Sequence, residues 1–249
     1  MKRPAPPRGL FIIGTDTGVG KTLIAGAIAR SLVLRGIDCG VMKPIESGCR
    51  LRKGHLIPTD GTYLRAAARS KDPLEAITPF RFRSPLAPYA AALKEGRKPV
   101  NLKALVAAVK RMQKTHDFII VEGLGGLIVP LNAKDTLIDL IRELDLPVLL
   151  VAQSGLGTLN HCLLTLNYGE SQGLQFSGLL LNRIAPKKPA SEASNRRLLS
   201  ERTTLPVLGP LPYLPKKGTR EALIAQSAGI LDRKTTIIKA IIEAVDLVR

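Results

Sequence analysis

The sequence predicts an α/β fold in which a mostly parallel central sheet carries helices on both faces. Short apolar runs alternate with longer amphipathic stretches, the rhythm of repeated strand–helix–strand units. Several of those runs show no polar alternation, as expected for strands covered on both sides. A Gly-rich turn also lies directly behind the first apolar run and directly before a helix-like stretch. With 249 residues, 45% of them hydrophobic and 23% charged, the chain can bury a substantial core built from Leu, Ile, Val and Ala, since it contains no Trp.

In chain order, strands are expected at 10–14 (LFIIG), 39–44 (CGVMKP), 117–123 (DFIIVEG), 147–152 (PVLLVA), 176–182 (FSGLLLN) and 205–212 (LPVLGPLP). The first helix is expected over 21–35, with Leu23, Ala27, Ile28, Ser31 and Leu34 on its buried stripe and Gly36 as its stop. A second runs from 101 to 115 behind Asn101 as N-cap, and similar patterns cover 159–172 and 232–247. Residues 45–100, rich in Gly and Pro, read as loops broken by short helices, and so long a stretch usually carries function. No repeat or low-complexity linker interrupts residues 1–249, which read as one domain with residues 1–8 as a flexible extension.

Lys and Arg number 37 against 20 acids, a formal net charge of +17. That excess suits either a nucleic-acid surface or a site for anionic ligands. The basic clusters, PKKP at 186–189 and LPKKGTR at 214–220, are short, and aromatic residues for base stacking are few, which argues against nucleic acid. Three cysteines and three histidines form no metal-ligand spacing, and sparse, odd cysteines point to a reducing compartment. The apolar stretch behind MKRPAPPRG is too short for a signal-peptide core, and no run is long enough to span a membrane. A cytoplasmic location is expected.

The turn itself reads GTDTGVGKTL, residues 14–23. Strand, glycines and a helix opening on Lys-Thr form the setting of a phosphate loop, and with it of a P-loop NTPase-like fold. Glycines turn backbone N–H groups inward, and the helix start adds positive potential. Lys21 would reach the β- and γ-phosphates and the Thr22 hydroxyl a Mg²⁺ ion. The first glycine, Gly14, stands one residue earlier than the usual spacing, which would put it at Thr15. Asp16 occupies the position where partitioning ATPases of this fold carry a lysine.

Further along, Lys43 in MKPIESG ends a predicted strand, where open α/β sheets bind ligands. Alone it reads as a solvated lysine; beside a phosphate loop it would add a second positive charge. Asp60, in PTDGTYLRAAA, reads either as an N-cap or as a metal ligand. Glu122, at the end of FIIVEGLGG, is an acid behind an apolar strand, costly to bury unless paired or metal-bound. The turn SGLGTLNH, 154–161, opens a helix with free N–H groups, an anion site; His161 there reads as a capping or packing residue and not as a base. Asn182 ends GLLLN with a donor and an acceptor that suit an adenine edge or any turn.

Taken together, GTDTGVGKT, KPIESG, VEGLGG, SPLAPYAAALKEGR, SGLGTLNH, GLLLN and GPLPYL, in collinear order over roughly residues 9–215, resemble the dethiobiotin synthetases. The resemblance implies catalytic roles for Lys21, Lys43 and Thr17. It implies nucleotide contacts from Thr15, Asp16, Gly18, Val19, Gly20, Lys21 and Thr22, with Glu122, Asn182 and Pro212 completing that set. Substrate contacts are implied for Ser47, Gly123, Gly157, Thr158, Leu159 and Asn160, and Mg²⁺ ligation for Thr22, Asp60 and Glu122. Three positions depart from the pattern: Gly18 replaces an acid of some members, Tyr89 a frequent histidine, and Ser194–Asn195 a substrate-binding tyrosine.

The implied activity joins CO₂ to 7,8-diaminononanoate at the expense of ATP, in a homodimer with substrate at the subunit interface. Two rival readings remain: a DNA-binding partitioning ATPase, and a relative that binds nucleotide without synthesis. A larger amidoligase is the runner-up within ATP chemistry, and no glutaminase domain is expected within these 249 residues.

Overall fold

The computed structural model describes residues 9–215 and 219–233. The first apolar run is strand β1 (Gly9–Gly14), followed by helix α1 (Lys21–Leu34) and strand β2 (Cys39–Met42). Short pieces follow: β3 (Ile45–Glu46), β4 (Arg50–Arg52), β5 (His55–Ile57), α2 (Thr59–Ala67), α3 (Leu74–Ile77), β6 (Phe80–Arg81) and α4 (Pro88–Lys94). Longer elements then resume with α5 (Leu102–Gln113), β7 (Phe118–Glu122), α6 (Leu137–Leu144) and β8 (Val148–Gln153). The described chain closes with α7 (Thr158–Ser171), β9 (Phe176–Asn182), α8 (Glu192–Arg202), β10 (Val207–Leu211) and α9 (Arg220–Arg233).

Six strands form one parallel sheet in the order β10-β9-β8-β1-β7-β2. Ile12 in the centre faces Glu122 on one side and Leu149 on the other. Every residue of β1 and β7 is buried, which explains why these strands read as unbroken apolar runs. The chain moves outward from β1 to β2, returns through β7, and crosses β1 to reach β8, β9 and β10. Right-handed crossovers therefore put α1 on one face and α5 to α8 on the other. α1 packs there against α2 and α9, while α5 contacts α6 and α7 contacts α8. Because all six strands run the same way, the segments after β1, β2, β7 and β9 leave from one sheet edge at the point where strand order reverses.

The predicted strands and the helices at 21–35, 101–115 and 159–172 lie within two residues of the observed ones. Asn101 caps α5 by accepting the Ala104 N–H at 2.9 Å. The single buried stripe expected on α1 is corrected. Ile24, Ala25, Ala29 and Leu32 are also buried because sheet, α2 and α9 enclose the helix, while Leu34 is exposed. Residues 45–100 hold strand pairs as well as helices, including a β4–β5 hairpin whose turn residues, Lys53 and Gly54, both take positive φ. Most of the helix expected at 232–247 lies outside the described residues; Asp232 and Arg233 end α9. Helix α6 carried a readable signal, a capping box from Thr136 to Asp139 before apolar residues 137, 138, 140, 141 and 144.

Candidate active site

A cleft of about 800 Å³ opens at the sheet edge that the strand order singles out. Its floor is the phosphate loop between β1 and α1, where Gly18 and Gly20 take φ of 81° and 101°. Gly20 has a second reason to lack a side chain: a Cβ there would come within 2.2 Å of Asn182 Nδ2. Asn182, buried at the end of β9, donates that amide to the Val19 carbonyl at 2.9 Å. The base-reading candidate thus braces the loop with its donor, which leaves its acceptor for a ligand.

Lys21 is 6% exposed, and its ammonium donates to the carbonyls of Asp16 at 2.7 Å and Gly125 at 3.3 Å. Burial, then the charge of nearby Lys43, brings its pKa down to about 8. Lys43, 4% exposed behind β2, donates to Glu122 Oε1 at 2.6 Å and to the Gly123 carbonyl at 2.9 Å. Burial alone would lower its pKa, but Glu122 and Asp60 outweigh that and hold it above the ordinary lysine range. Asp60 Oδ2 lies 3.5 Å from the same ammonium.

Glu122 closes this network. Its Oε1 also accepts the Thr22 hydroxyl at 2.8 Å, so the phosphate-loop threonine and the strand-end lysine meet on one oxygen. Burial raises the carboxyl's pKa, offset in part by Lys43 and Thr22. Its Oε2 is buried without a hydrogen-bond partner among the described residues, an arrangement that calls for a cation or water. No group of three His, Cys, Asp or Glu side chains able to hold a metal occurs among the described residues. Thr22, Asp60 and Glu122 offer oxygen donors only, the chemistry that a hard cation such as Mg²⁺ takes together with phosphate oxygens and water.

Among the predicted site residues, the cleft brings together Thr17, Gly18, Gly20, Lys21, Thr22, Lys43, Ser47, Asp60, Glu122 and Asn182. Thr15, Asp16, Val19 and Gly123 belong to the same two loops but do not line it. Pro212 lines a much smaller neighbouring cavity beside Leu23 and Leu211. Gly157, Thr158, Leu159 and Asn160, at the start of α7, do not line the cleft of their own chain. There the Thr158 hydroxyl contacts Cys162 Sγ at 3.4 Å, and Leu156 is 86% exposed. The same face of α7 presents Leu164 and Tyr168, one turn apart and both exposed.

Two sequence readings are corrected here. Asp60 does not cap α2: Pro58 holds the N-cap position and Asp60 is the second helical residue. The capping acceptor is Glu46, whose carboxylate takes the N–H groups of Thr59, Asp60 and Gly61. His161 neither caps nor packs, since Gly157 is the N-cap of α7 and the imidazole is exposed.

The sequence reading also passed over several residues. Glu46 was one, although an acid in the apolar setting of PIES was a visible signal. Glu192 was another: it is 3% exposed and receives the Arg183 guanidinium at 2.6 and 2.9 Å and the Ser154 hydroxyl at 2.8 Å. Asn195, where a tyrosine was expected, donates to the Gly155 carbonyl at 2.8 Å and so ties α8 to the loop before α7. Tyr63 and Tyr213 line the cleft as well. No pattern marked these two beforehand.

Comparison with known proteins gives two kinds of match. Residues 8–220 match a family model described as an AAA domain. The chain is 45% identical over 210 residues to the ATP-dependent dethiobiotin synthetase of Anaeromyxobacter dehalogenans, covering 84% of this chain and 91% of that protein. It is 42% identical over 214 residues to the synthetase of Thermodesulfovibrio yellowstonii, covering 83% and 89% of the two chains. Against the synthetase of Bacillus subtilis it is 38% identical over 207 residues, or 83% and 88%. Solved structures match in fold. One is a MinC:MinD cell division protein complex from Aquifex aeolicus, with TM-score 0.55, 17% identity and coverage of 96% and 94%. Another is a ParA family ATPase from Chlorobium tepidum, with TM-score 0.54, 14% identity and coverage of 95% and 98%.

Proposed function

The chain belongs to the family of ATP-dependent dethiobiotin synthetases, and from that membership we propose how its cleft performs the synthesis. It is a ligase that forms C–N bonds in biotin biosynthesis. The reaction begins when one amine of 7,8-diaminononanoate takes up CO₂ as a carbamate. A carbamate oxygen attacks the γ-phosphorus of ATP, ADP leaves, and a carbamic-phosphoric anhydride remains. The second amine then attacks the anhydride carbonyl, expels phosphate and closes the cyclic urea.

Phosphoryl transfer asks chiefly for positioning and for cancelling negative charge. The observation that carries this reading is that Lys21 and Lys43, both buried, line one cleft, with Lys43 bonded to the Glu122 oxygen that also accepts the hydroxyl of Thr22, the residue after Lys21. Lys21 holds the β- and γ-phosphates, and Lys43 exchanges part of its contact with Glu122 for the transferring group. Thr17, at the lip of the loop, contacts the reacting end. Thr22, Asp60 and Glu122 would hold Mg²⁺, which supplies further charge neutralisation on the triphosphate; the unpartnered Glu122 Oε2 supports this. Ring closure needs the two nitrogens held together, an effect of proximity.

The substrate side is assembled from two chains. The exposed apolar face of α7, with Leu156 beside it, supports a homodimer in which Gly157, Thr158, Leu159 and Asn160 enter the partner's cleft. Among the described residues no helix is long and apolar enough to cross a membrane, and the three cysteines are buried and free, which supports a cytoplasmic enzyme. The test is mass detection of dethiobiotin after incubation with ATP, Mg²⁺, bicarbonate and diaminononanoate. Product equal to ATP consumed is expected; ATP hydrolysis that answers to DNA and ignores diaminononanoate would replace the reading with a partitioning switch.

A further inference from the structure

Helix α2 brings Asp60 to the cleft, yet its own N-cap, Pro58, offers no side-chain acceptor for the first N–H groups. The N–H groups exposed by every helix start need acceptors. Here they find one 13 to 15 residues upstream. Glu46, 6% exposed, accepts Asp60 N–H at 3.1 Å and Gly61 N–H at 3.0 Å, with a third bond from Thr59 N–H. A carboxylate at this end of a helix is further favoured by the helix dipole.

The clamp is itself firmly held. Strand β3 pairs with β6, and the Glu46 carbonyl accepts the Phe82 N–H at 2.9 Å. On the other side Gly61 presses against Thr78, so closely that a Cβ would lie 2.1 Å from its hydroxyl oxygen. Glu46 stands three residues after Lys43 in the run Lys43-Pro44-Ile45-Glu46. One rigid tetrapeptide therefore carries the strand-end ammonium and the acceptor that seats α2. Since α2 is capped from outside, the Asp60 side chain has no capping duty and faces Lys43 at 3.5 Å.

We infer that Glu46 is a positioning residue of the synthetase: it sets the distance between Asp60 and the Lys43–Glu122 pair and so prepares the metal–triphosphate site. The inference rests on the assignment of Asp60, Thr22 and Glu122 to Mg²⁺ given above. Glu46 lines the same cleft, and the role inferred for it runs through the first turn of α2. Glu46→Gln is the discriminating change, because it keeps the volume and one acceptor but turns an amide donor toward N–H groups that are donors themselves.

The experiment is calorimetric titration of the full chain with a non-hydrolysable ATP analogue, with and without Mg²⁺, for the parent, Glu46→Gln and Asp60→Asn. The parent is expected to bind more tightly with Mg²⁺. Both variants should lose about tenfold of that metal-dependent gain while their metal-free affinity stays within about twofold of the parent's. A Glu46→Gln protein with a lower melting temperature but the full Mg²⁺ gain would reduce Glu46 to a structural cap and overturn the inference. Thr59→Pro is the second variant; it deletes one of the three donors at a position where helices accept proline. A loss of about threefold in the Mg²⁺ gain is expected from it, and an unchanged gain counts against the inference even if Glu46→Gln does not fold. A parent chain indifferent to Mg²⁺ would remove the metal assignment and the inference together, an outcome distinct from either variant result.

Discussion

Two regions of the molecule, one lining the cleft and one outside it, are built differently. On the side of β1, β2 and β7, the lysines are buried and held: Lys21 and Lys43 are 6% and 4% exposed, Lys21 bonds to two backbone carbonyls, and Thr22 and Lys43 share one oxygen of Glu122. On the side of β8 and α7, Leu156, Gly157 and Asn160 are exposed while Thr158 is buried, and the helix carries exposed Leu164 and Tyr168. The first region is complete within one chain. The second, the start of α7, is tied to α8 through Asn195 and does not line the cleft of its own chain. On the reading proposed above, the phosphoryl-transfer half is preorganised by folding, whereas the substrate half is completed by a second chain.

The largest effect should come from the preorganised side. Lys43→Ala is expected to lower dethiobiotin formation by about 10³-fold while ATP still binds. Single-turnover rates with calorimetric affinities check the split, and a variant that loses both equally would mean the lysine only supports the fold. Next comes the outward side. Leu164→Glu combined with Tyr168→Glu should convert the enzyme to monomers and cost about tenfold or more in activity with ATP affinity unchanged. Light scattering beside the assay reads this, and full activity in a monomer would erase the contrast.

The smallest effect is in pH. Lys21 in the free protein loses its proton as pH rises through about 8. Triphosphate binding favours the ammonium, so affinity should fall by a few fold between pH 7 and pH 9.5, with proton uptake on binding near pH 8.5. The free fold should respond in the opposite sense. The unfolded lysine holds its proton more tightly than the folded one, so this group adds stability as pH rises from about 8 toward the ordinary 10.5. Melting temperatures with and without nucleotide separate the two trends.

The same contrast marks what could be read from the sequence. Lys21 and Thr22 are contiguous with their glycines, and Lys43 and Glu122 each end an unbroken apolar strand. Local chemistry therefore pointed to Lys21, Thr22 and Glu122, whereas Lys43 reads alone as a solvated lysine and gains its role only beside the phosphate loop. Glu46 caps a helix 13 residues away, and Glu192 receives an arginine from the far side of a loop. Such partnerships depend on how strands are ordered in space, which no local pattern reports. The N-cap reading of Asp60 fails for the same reason: an acid near a helix start resembles an N-cap until the remote acceptor is known. The boundaries of the central strands were legible because burial on both faces leaves them unbroken, while the two- and three-residue strands β3 to β6 are too short to show any period.

The division of labour between the two regions is tested most directly by subunit complementation. Chains carrying Lys43→Ala and chains carrying Asn160→Trp, each nearly inactive alone, are co-folded and assayed together. If every site takes Lys43 from one chain and the α7 turn from the other, random pairing gives mixed dimers with one intact site, and about a quarter of the parent activity returns. A mixture no more active than its two components would show that each chain serves its own cleft and would contradict the account.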